Sequence, residues 1–335
     1  MEEKIKIYLP KNIYDVLLAD MDLFEFHKKD GKLNKNDFLN ALIYNYYQIF
    51  QNSNAAIYDS VKAILDRNNP SAENTAVSQE ILHYIEKTAY SQTDVKAEQI
   101  ISVKPTKKTA AIFDFINDTL LNGLSLSNYF RNMFASYISL PRDRRERIIF
   151  KENIDIILEA IRSKKKLFFT MKNKEIVHSV SPYSIASSKE ELFNYLLGEE
   201  RETPRSYRIS RITKMIILNE EVSFIDGNKE ILQKMEQLGP QFSITPGQEN
   251  YTVIVEFTER GKKMLKSIYI HRPALAFIQD EKYYFTCSSA QAFQYFCRFG
   301  KQAKVLSPAS LVRDLAVFYK TSLKAYEYSL MNNKE

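Results

Sequence analysis

Tyr207-Arg208-Ile209-Ser210-Arg211-Ile212 closes a stretch that opens at Pro182-Tyr183-Ser184 and passes through Phe193-Asn194-Tyr195-Leu196-Leu197-Gly198. The middle segment reads as an apolar strand, and the last as a strand that sets guanidinium groups beside a tyrosine. Alternation places Tyr207, Ile209 and Arg211 on one face and Arg208, Ser210 and Ile212 on the other. Arginine is poor core material, and its planar fork matches the oxygens of phosphate and carboxylate. Arg208 and Arg211 therefore read as an anion-binding pair, with Arg205 close by. Because they are three residues apart, they reach one ligand only where the strand bulges or ends between them.

Outward from this stretch, Leu167–Met171, Glu175–Ser181, Leu192–Leu197, Ser206–Arg211 and Met215–Leu218 alternate, or are apolar, between turns. They predict a small antiparallel sheet curled into a barrel. Ile154, Ile157, Leu158 and Ile161 share one side of an amphipathic helix ahead of it, and Lys164-Lys165-Lys166 forms a basic turn. Positive charge gathers here. Arg142 to Glu175 holds eleven Lys/Arg against six Asp/Glu, and Arg201 to Lys214 holds five against one, in a chain of net charge +6. The remainder is slightly acidic, a distribution that suits a polyanionic partner.

Composition excludes more than it assigns. At 335 residues, 44% hydrophobic and 26% charged, the chain has the make-up of a soluble globular protein with two or three domains. No apolar run approaches the roughly 18 residues of a membrane span, and Met1-Glu2-Glu3-Lys4 lacks a signal-peptide pattern. The two cysteines, Cys287 and Cys297, cannot form a disulfide framework, so they read as half-buried free thiols in a reducing cytoplasm. Eight glycines include no phosphate-cradling pattern. His27, His83, His178 and His271 have no partners at ligand spacing, so neither a metal nor another cofactor is expected. There is no nucleophile elbow, catalytic carboxylate pair or CxxC, and the expectation is a protein without catalytic residues.

A repeat supplies the second signal. Leu33-Asn34-Lys35-Asn36-Asp37-Phe38-Leu39-Asn40-Ala41-Leu42-Ile43 aligns without gaps on Leu124-Ser125-Leu126-Ser127-Asn128-Tyr129-Phe130-Arg131-Asn132-Met133-Phe134. Asn36 and Ser127 read as helix N-caps, and apolar residues follow at helical spacing. Each copy is preceded by a helical pattern (Ile13 to Phe26, Ala110 to Leu121) and a glycine-containing turn (Gly31, Gly123). Ahead of each helix lies a short alternating strand, Lys4-Ile5-Lys6-Ile7-Tyr8-Leu9-Pro10 or Ile100-Ile101-Ser102-Val103-Lys104-Pro105. One strand and two helices cannot bury their own core, so the two copies are expected to pair their strands within the chain. Ile5, Ile7, Leu9, Ile101 and Val103 would face inward. Helical patterns at Ala56–Asp66 and Thr75–Tyr90 would connect the halves.

Beyond Val222, Tyr251–Phe257, Ala274–Ile278, Tyr283–Cys287 and Ala303–Leu306 read as strands. Thr258–Lys266, Ser289–Phe299 (stopped by Gly300) and Leu311–Tyr326 read as helices. That order is the split βαβ arrangement of a ferredoxin-like domain.

The tandem strand-helix-helix units, over roughly residues 3–50 and 98–140, resemble the ribbon-helix-helix family. There the outer ribbon face reads DNA, which would make Lys4, Lys6, Tyr8, Ser102 and Lys104 contact residues; a solvated ribbon is the alternative. Residues 1–50 hold seven lysines against eight acids, which weighs against a strong field.

Ile154 to Leu218 resembles the WYL domain, an Sm-like β-barrel named for a Trp-Tyr-Leu signature. Tyr195 and Leu196 match, whereas Asn194 stands in the tryptophan position, and the chain has no tryptophan. Arg208 and Arg211 fall where the family's Phe-Arg-Leu-Asp-Arg-Ile segment has its arginines, with Tyr207 for Phe and Ser210 for Asp. Gly300 to Pro308, followed by Leu311, resembles the extension that commonly follows WYL domains.

The whole is similar to the WYL-domain accessory proteins of type VI-D CRISPR systems. The resemblance implies single-stranded RNA binding, homodimerisation through the C-terminal region and stimulation of an RNA-guided RNase effector. Arg208, Arg211 and Arg205 would meet phosphate, Tyr195 and Tyr183 would stack on bases, and Lys164, Lys165 and Lys166 would widen the field. Core for Tyr195 and a solvated turn for the lysines are the competing readings. Duplex DNA is the alternative partner, in a transcription regulator with a ligand-sensing WYL domain. The expected architecture is α+β in three parts: a ribbon-helix-helix domain with a helical insert (1–141), a WYL domain (142–219) and a ferredoxin-like extension (220–335).

Overall fold

A computed structural model describes residues 4–90, 99–121, 125–172, 176–188, 192–240, 242, 252–268 and 272–332. Gly123, Leu124, Glu175, Tyr251 and His271 lie outside the described residues. The fold is α+β and divides into two units, Met1–Ile154 and Asp155–Glu335.

The first unit runs β1 (Ile5–Leu9), α1 (Lys11–Leu23), α2 (Lys35–Asn68), α3 (Asn74–Tyr90), β2 (Gln99–Val103) and α4 (Lys107–Phe115). A π turn (Ile116–Leu120), α5 (Leu126–Ile138) and α6 (Arg142–Ile149) follow, and α7 (Lys151–Ser163) spans the division. β1 and β2 form an antiparallel ribbon in which Ile5 faces Val103, Ile7 faces Ile101 and Tyr8 faces Ile100. Its alternation is what buries it on one side only: Ile7, Leu9, Ile101 and Val103 are buried on the helices, while Ile5 is half-buried. Each such side chain contributes about 1.5–3 kcal/mol when fully removed from water.

The helix caps differ from the expectation. Asn34 accepts the Asp37 N–H and Ser125 accepts the Asn128 N–H, so each helix is capped two residues before Asn36 or Ser127. Those two residues instead fasten the ribbon. Asn36 Oδ1 accepts the Lys104 N–H at 2.8 Å, and Ser127 Oγ accepts the Tyr8 N–H at 3.0 Å. Each copy's strand is thus held by the other copy's second helix. The connector differs too. α2 continues through Asn68 as a single helix of 34 residues, so the first insert helix is its extension.

The second unit holds two sheets. β3 (Lys165–Met171), β4 (Val177–Ser187), β5 (Asn194–Glu200), β6 (Thr203–Arg208) and β7 (Ile212–Glu221) form one, in the order β6-β5-β4-β3-β7. This sheet is not the closed barrel expected: β6 and β7 are its edges and do not pair with each other. A 3-10 turn over Ile209–Arg211 separates them in the chain and sends β7 to β3. β5 is buried along its whole length, which makes Gly198 obligatory. A Cβ there would lie 2.6 Å from both the Ser181 carbonyl oxygen and Val180 Cγ1. An additional helix, α8 (Asn228–Leu238), follows β7.

The other sheet, in the order β11-β8-β10-β9, is built from β8 (Thr252–Phe257), α9 (Glu259–Ser267), β9 (Ala274–Gln279), β10 (Lys282–Thr286), α10 (Ser289–Phe296) and β11 (Ala303–Ser307). α10 ends before Phe299, passing into a 3-10 turn (Cys297–Gln302) in which Gly300 takes φ +52°. α11 (Ala309–Asn332) closes the chain. Val253, Val255, Phe285, Tyr295, Phe296 and Leu311 form the core here. Cys287 is buried beside them, and burial pushes its thiol up to about 12. Edge strand β9 exposes Leu275, Phe277 and Ile278, and α11 exposes Val317, Leu323 and Tyr326. Among the described residues no helix is long and apolar enough to cross a membrane.

Candidate nucleic-acid interface

β6 ends at Arg208, and the 3-10 turn that follows occupies Ile209–Arg211, so the regular alternation from Tyr207 to Ile212 stops there. Ile209 and Ser210 are both buried, anchoring the turn, while Arg211 is exposed at its end. Arg208 is half-buried and held on two sides. Its Nε donates to Ser210 Oγ at 2.8 Å, and its guanidinium carbon lies 3.5 Å from the centroid of the Phe193 ring. Stacking and the hydroxyl hold the fork in place, and such a cation–π contact contributes about 0.5–2 kcal/mol. Sequence reading passed over Phe193 as a contact. The signal was there: Phe193 precedes Tyr195 by two residues, and Tyr195 lies opposite Arg208 across β5 and β6.

The other residues of the expected site are distributed around the sheet. Tyr195 is buried in β5, with 9% of its surface exposed, which favours the core role over stacking. Tyr183 is half-buried at the register shift between Pro182 and Ser184, with Phe224 edge-on at 6.2 Å. Lys164 is exposed at the start of the sheet, with φ +53°. Lys165 Nζ donates to the Asn219 carbonyl at 2.8 Å, and Lys166 Nζ meets Glu220 at 3.0 Å. Lys165 faces Glu221 at one end of the β3–β7 pair, whereas Ile212, next to Arg211, faces Met171 at the other. The structure therefore sets the lysines roughly 20 Å along the strands from the arginine turn.

Behind the arginines sits a polar cluster that no local pattern announced. Tyr207 donates its hydroxyl to Glu200 Oε2 at 2.8 Å, and His178 Nδ1 lies 3.1 Å from Oε1. Arg205 Nε approaches the same carboxylate at 3.8 Å, and Phe169 stacks on His178. Burial works against the charge on Glu200, but the hydrogen bonds from Tyr207 and His178 and the charges of His178 and Arg205 outweigh it. The carboxyl is held below its usual value. Burial, then the adjacent carboxylate, pushes the Tyr207 phenol far upward. Neighbouring Glu199 is answered by Asn228 Nδ2 at 2.8 Å and by the Ile225 N–H.

A lowered carboxyl pKa stabilises the folded state fully above the unfolded value, 4.5, and that share is lost as pH falls through the folded value. Glu200→Gln should therefore lower stability at neutral pH and flatten its decline below that value. Urea midpoints followed from neutral to acid pH check this; parallel curves for variant and parent would remove Glu200 from the acid response.

In the other unit the ribbon presents a second exposed face. Lys4, Lys6, Tyr8, Ser102 and Lys104 are all exposed on it, and Ile100, not foreseen, lies opposite Tyr8. Arg131 braces this face from beneath by donating Nε to the Tyr8 carbonyl at 3.0 Å.

No family model matches the chain, and no curated protein matches it in sequence. The crystal structure of a CRISPR Cas-related protein is similar with a TM-score of 0.64 at 20% identity, over 98% of this chain and 95% of that one. At that identity the two share a fold. Proteasome accessory factor B/C (PafBC) of Arthrobacter aurescens overlaps with a TM-score of 0.24 at 15% identity, over 79% of this chain and 45% of that one, too slight a likeness to guide interpretation.

Proposed function

We propose that the chain is a non-catalytic, cytoplasmic regulator in a CRISPR system, which binds single-stranded RNA and stimulates a type VI-D RNA-guided RNase. The observation that carries this reading is the arginine turn. A 3-10 segment interrupts the strand between Arg208 and Arg211, removing the alternation that would aim them at opposite faces, while Phe193 and Ser210 hold the first of them. A preset fork beside an exposed second arginine suits a phosphodiester backbone. Shared architecture with a CRISPR Cas-related protein over nearly the whole of both chains adds support.

Finer fold assignments belong to the same reading. The crossed fastening of an antiparallel ribbon suits a ribbon-helix-helix pair inside one chain. The order β6-β5-β4-β3-β7, with its 3-10 turn before the last strand, suits an open Sm-like sheet in a WYL domain. The order β11-β8-β10-β9 suits a ferredoxin-like extension. The apolar edge of β9 and the bare face of α11 are the surfaces through which that extension would form a homodimer.

Competition of single-stranded RNA, single-stranded DNA and duplex DNA for the purified protein tests the proposal. Preference for single-stranded RNA is expected, and equal affinity for all three would overturn it. A second reading, a duplex-DNA regulator with a ligand-sensing sheet, draws on the exposed ribbon face of Lys6, Tyr8 and Ser102. Sequence-specific duplex binding abolished by Lys6→Ala and Tyr8→Ala would favour it.

A further inference from the structure

The helical insert of the first unit leaves a cavity of about 630 Å³ among α2, α3, α5 and the π turn. Pockets for small ligands commonly measure about 300–1,000 Å³. Phe50 and Tyr129 form a buried aromatic floor, edge to face at 5.8 Å. Gln51 Nε2 donates to the Tyr129 hydroxyl at 2.5 Å, fixing both. Carboxamides converge from three helices: Asn54 on α2, Gln79 on α3 and Asn132 on α5. Tyr58 adds a further ring, and the π turn brings Leu120 to the wall. Such turns are rare and recur at functional sites.

The chemistry of the lining narrows the ligand. Carboxamides offer donors and acceptors side by side, the complement of a nucleobase edge. Aromatic rings suit its faces. Among the described lining residues there is no lysine or arginine; Glu80 adds a carboxylate and His83 an imidazole, so a phosphate would meet no permanent cation. We propose that this cavity binds an unphosphorylated nucleobase, presented by a free nucleoside. The proposal concerns a site apart from the arginine turn and does not depend on it.

Calorimetric titration of the full chain with uridine, cytidine, adenosine and guanosine, each beside its 5′-monophosphate, tests the idea. At least one nucleoside should bind saturably, and its monophosphate at least about tenfold more weakly. Ala55→Trp, which fills an exposed lining position, should weaken that nucleoside by about tenfold or more with an unchanged melting curve. Gln79→Leu should weaken it without closing the space. No saturable binding up to about 10 mM, a monophosphate as tight as its nucleoside, or unaltered binding in folded Ala55→Trp would each overturn the proposal. A short oligoribonucleotide of the preferred base, added to the Arg208→Ala, Arg211→Ala protein, should leave the nucleoside in place. Displacement of the nucleoside by the strand would overturn the proposal.

Discussion

Asp20→Ala should destabilise the first unit by about 3–5 kcal/mol, the cost expected when one partner of a buried ion pair is removed. Asp20 is fully buried on α1, and Arg145 on α6 grips it in a two-pronged contact, Nε to Oδ2 at 2.7 Å and Nη2 to Oδ1 at 2.9 Å. Tyr137 on α5 donates its hydroxyl to the same carboxylate at 3.0 Å. Arg145 Nη1 also donates to the Leu140 carbonyl at 2.8 Å, just past the end of α5. One carboxylate therefore ties three helices, and its loss strands a partly buried guanidinium and a buried phenol together. Burial, which pushes the Tyr137 hydroxyl well above the usual phenol value, persists without the carboxylate and opposes its ionising beside Arg145. Thermal unfolding should shift down by roughly 10 °C or more. Asp20→Leu combined with Arg145→Met should recover part of the loss, since replacing both partners leaves no orphaned charge. A double variant as unstable as the sum of its singles would mean that the pair is uncoupled.

This tie also marks where sequence reading stopped. The ribbon was legible because alternation is local: Ile7, Leu9, Ile101 and Val103 announce a buried face within two short segments. The repeat announced its helices for the same reason. Its polar residues were harder to assign, because a side chain at a helix start can cap its own helix or reach elsewhere. Asn34 and Ser125 do the first, Asn36 and Ser127 the second, and only the fold distinguishes them. Asp20 and Arg145 are 125 residues apart, and Lys166 and Glu220 are 54 apart. No periodicity encodes such partners. Lys164-Lys165-Lys166 read as a free basic turn because its neighbours in space, Asn219 to Glu221, lie at the far end of another strand. The arginine pair carried its own warning, a spacing of three that a straight strand could not reconcile. In the structure a 3-10 turn interrupts the regular strand after Arg208.

The same turn sets the second large effect. If Arg208 and Arg211 each meet a phosphate, replacing both with Ala should weaken single-stranded RNA binding by about a hundredfold or more, since hydrogen bonds to charged groups contribute about 1.5–3 kcal/mol each. The salt dependence should change with it. Each phosphate contact to a single strand contributes about 0.7 to the slope of log affinity against log salt, so the double variant should lose about 1.4. Arg208→Lys separates charge from shape. Lysine keeps the positive charge but cannot offer a planar fork or lie flat on Phe193, so affinity should fall while the slope stays nearly constant. Ser210→Ala should act in the same direction and more weakly, because the Arg208 Nε loses the hydroxyl that orients it but keeps the ring. Lys165→Ala and Lys166→Ala serve as the internal control. Their ammonium groups are engaged by Asn219 and Glu220 away from the turn, and they should leave affinity within about threefold. A folded double-arginine variant with unchanged affinity and slope would take the turn out of the mechanism. The exposed ribbon of Lys6, Tyr8 and Ser102 would then be the face to test next.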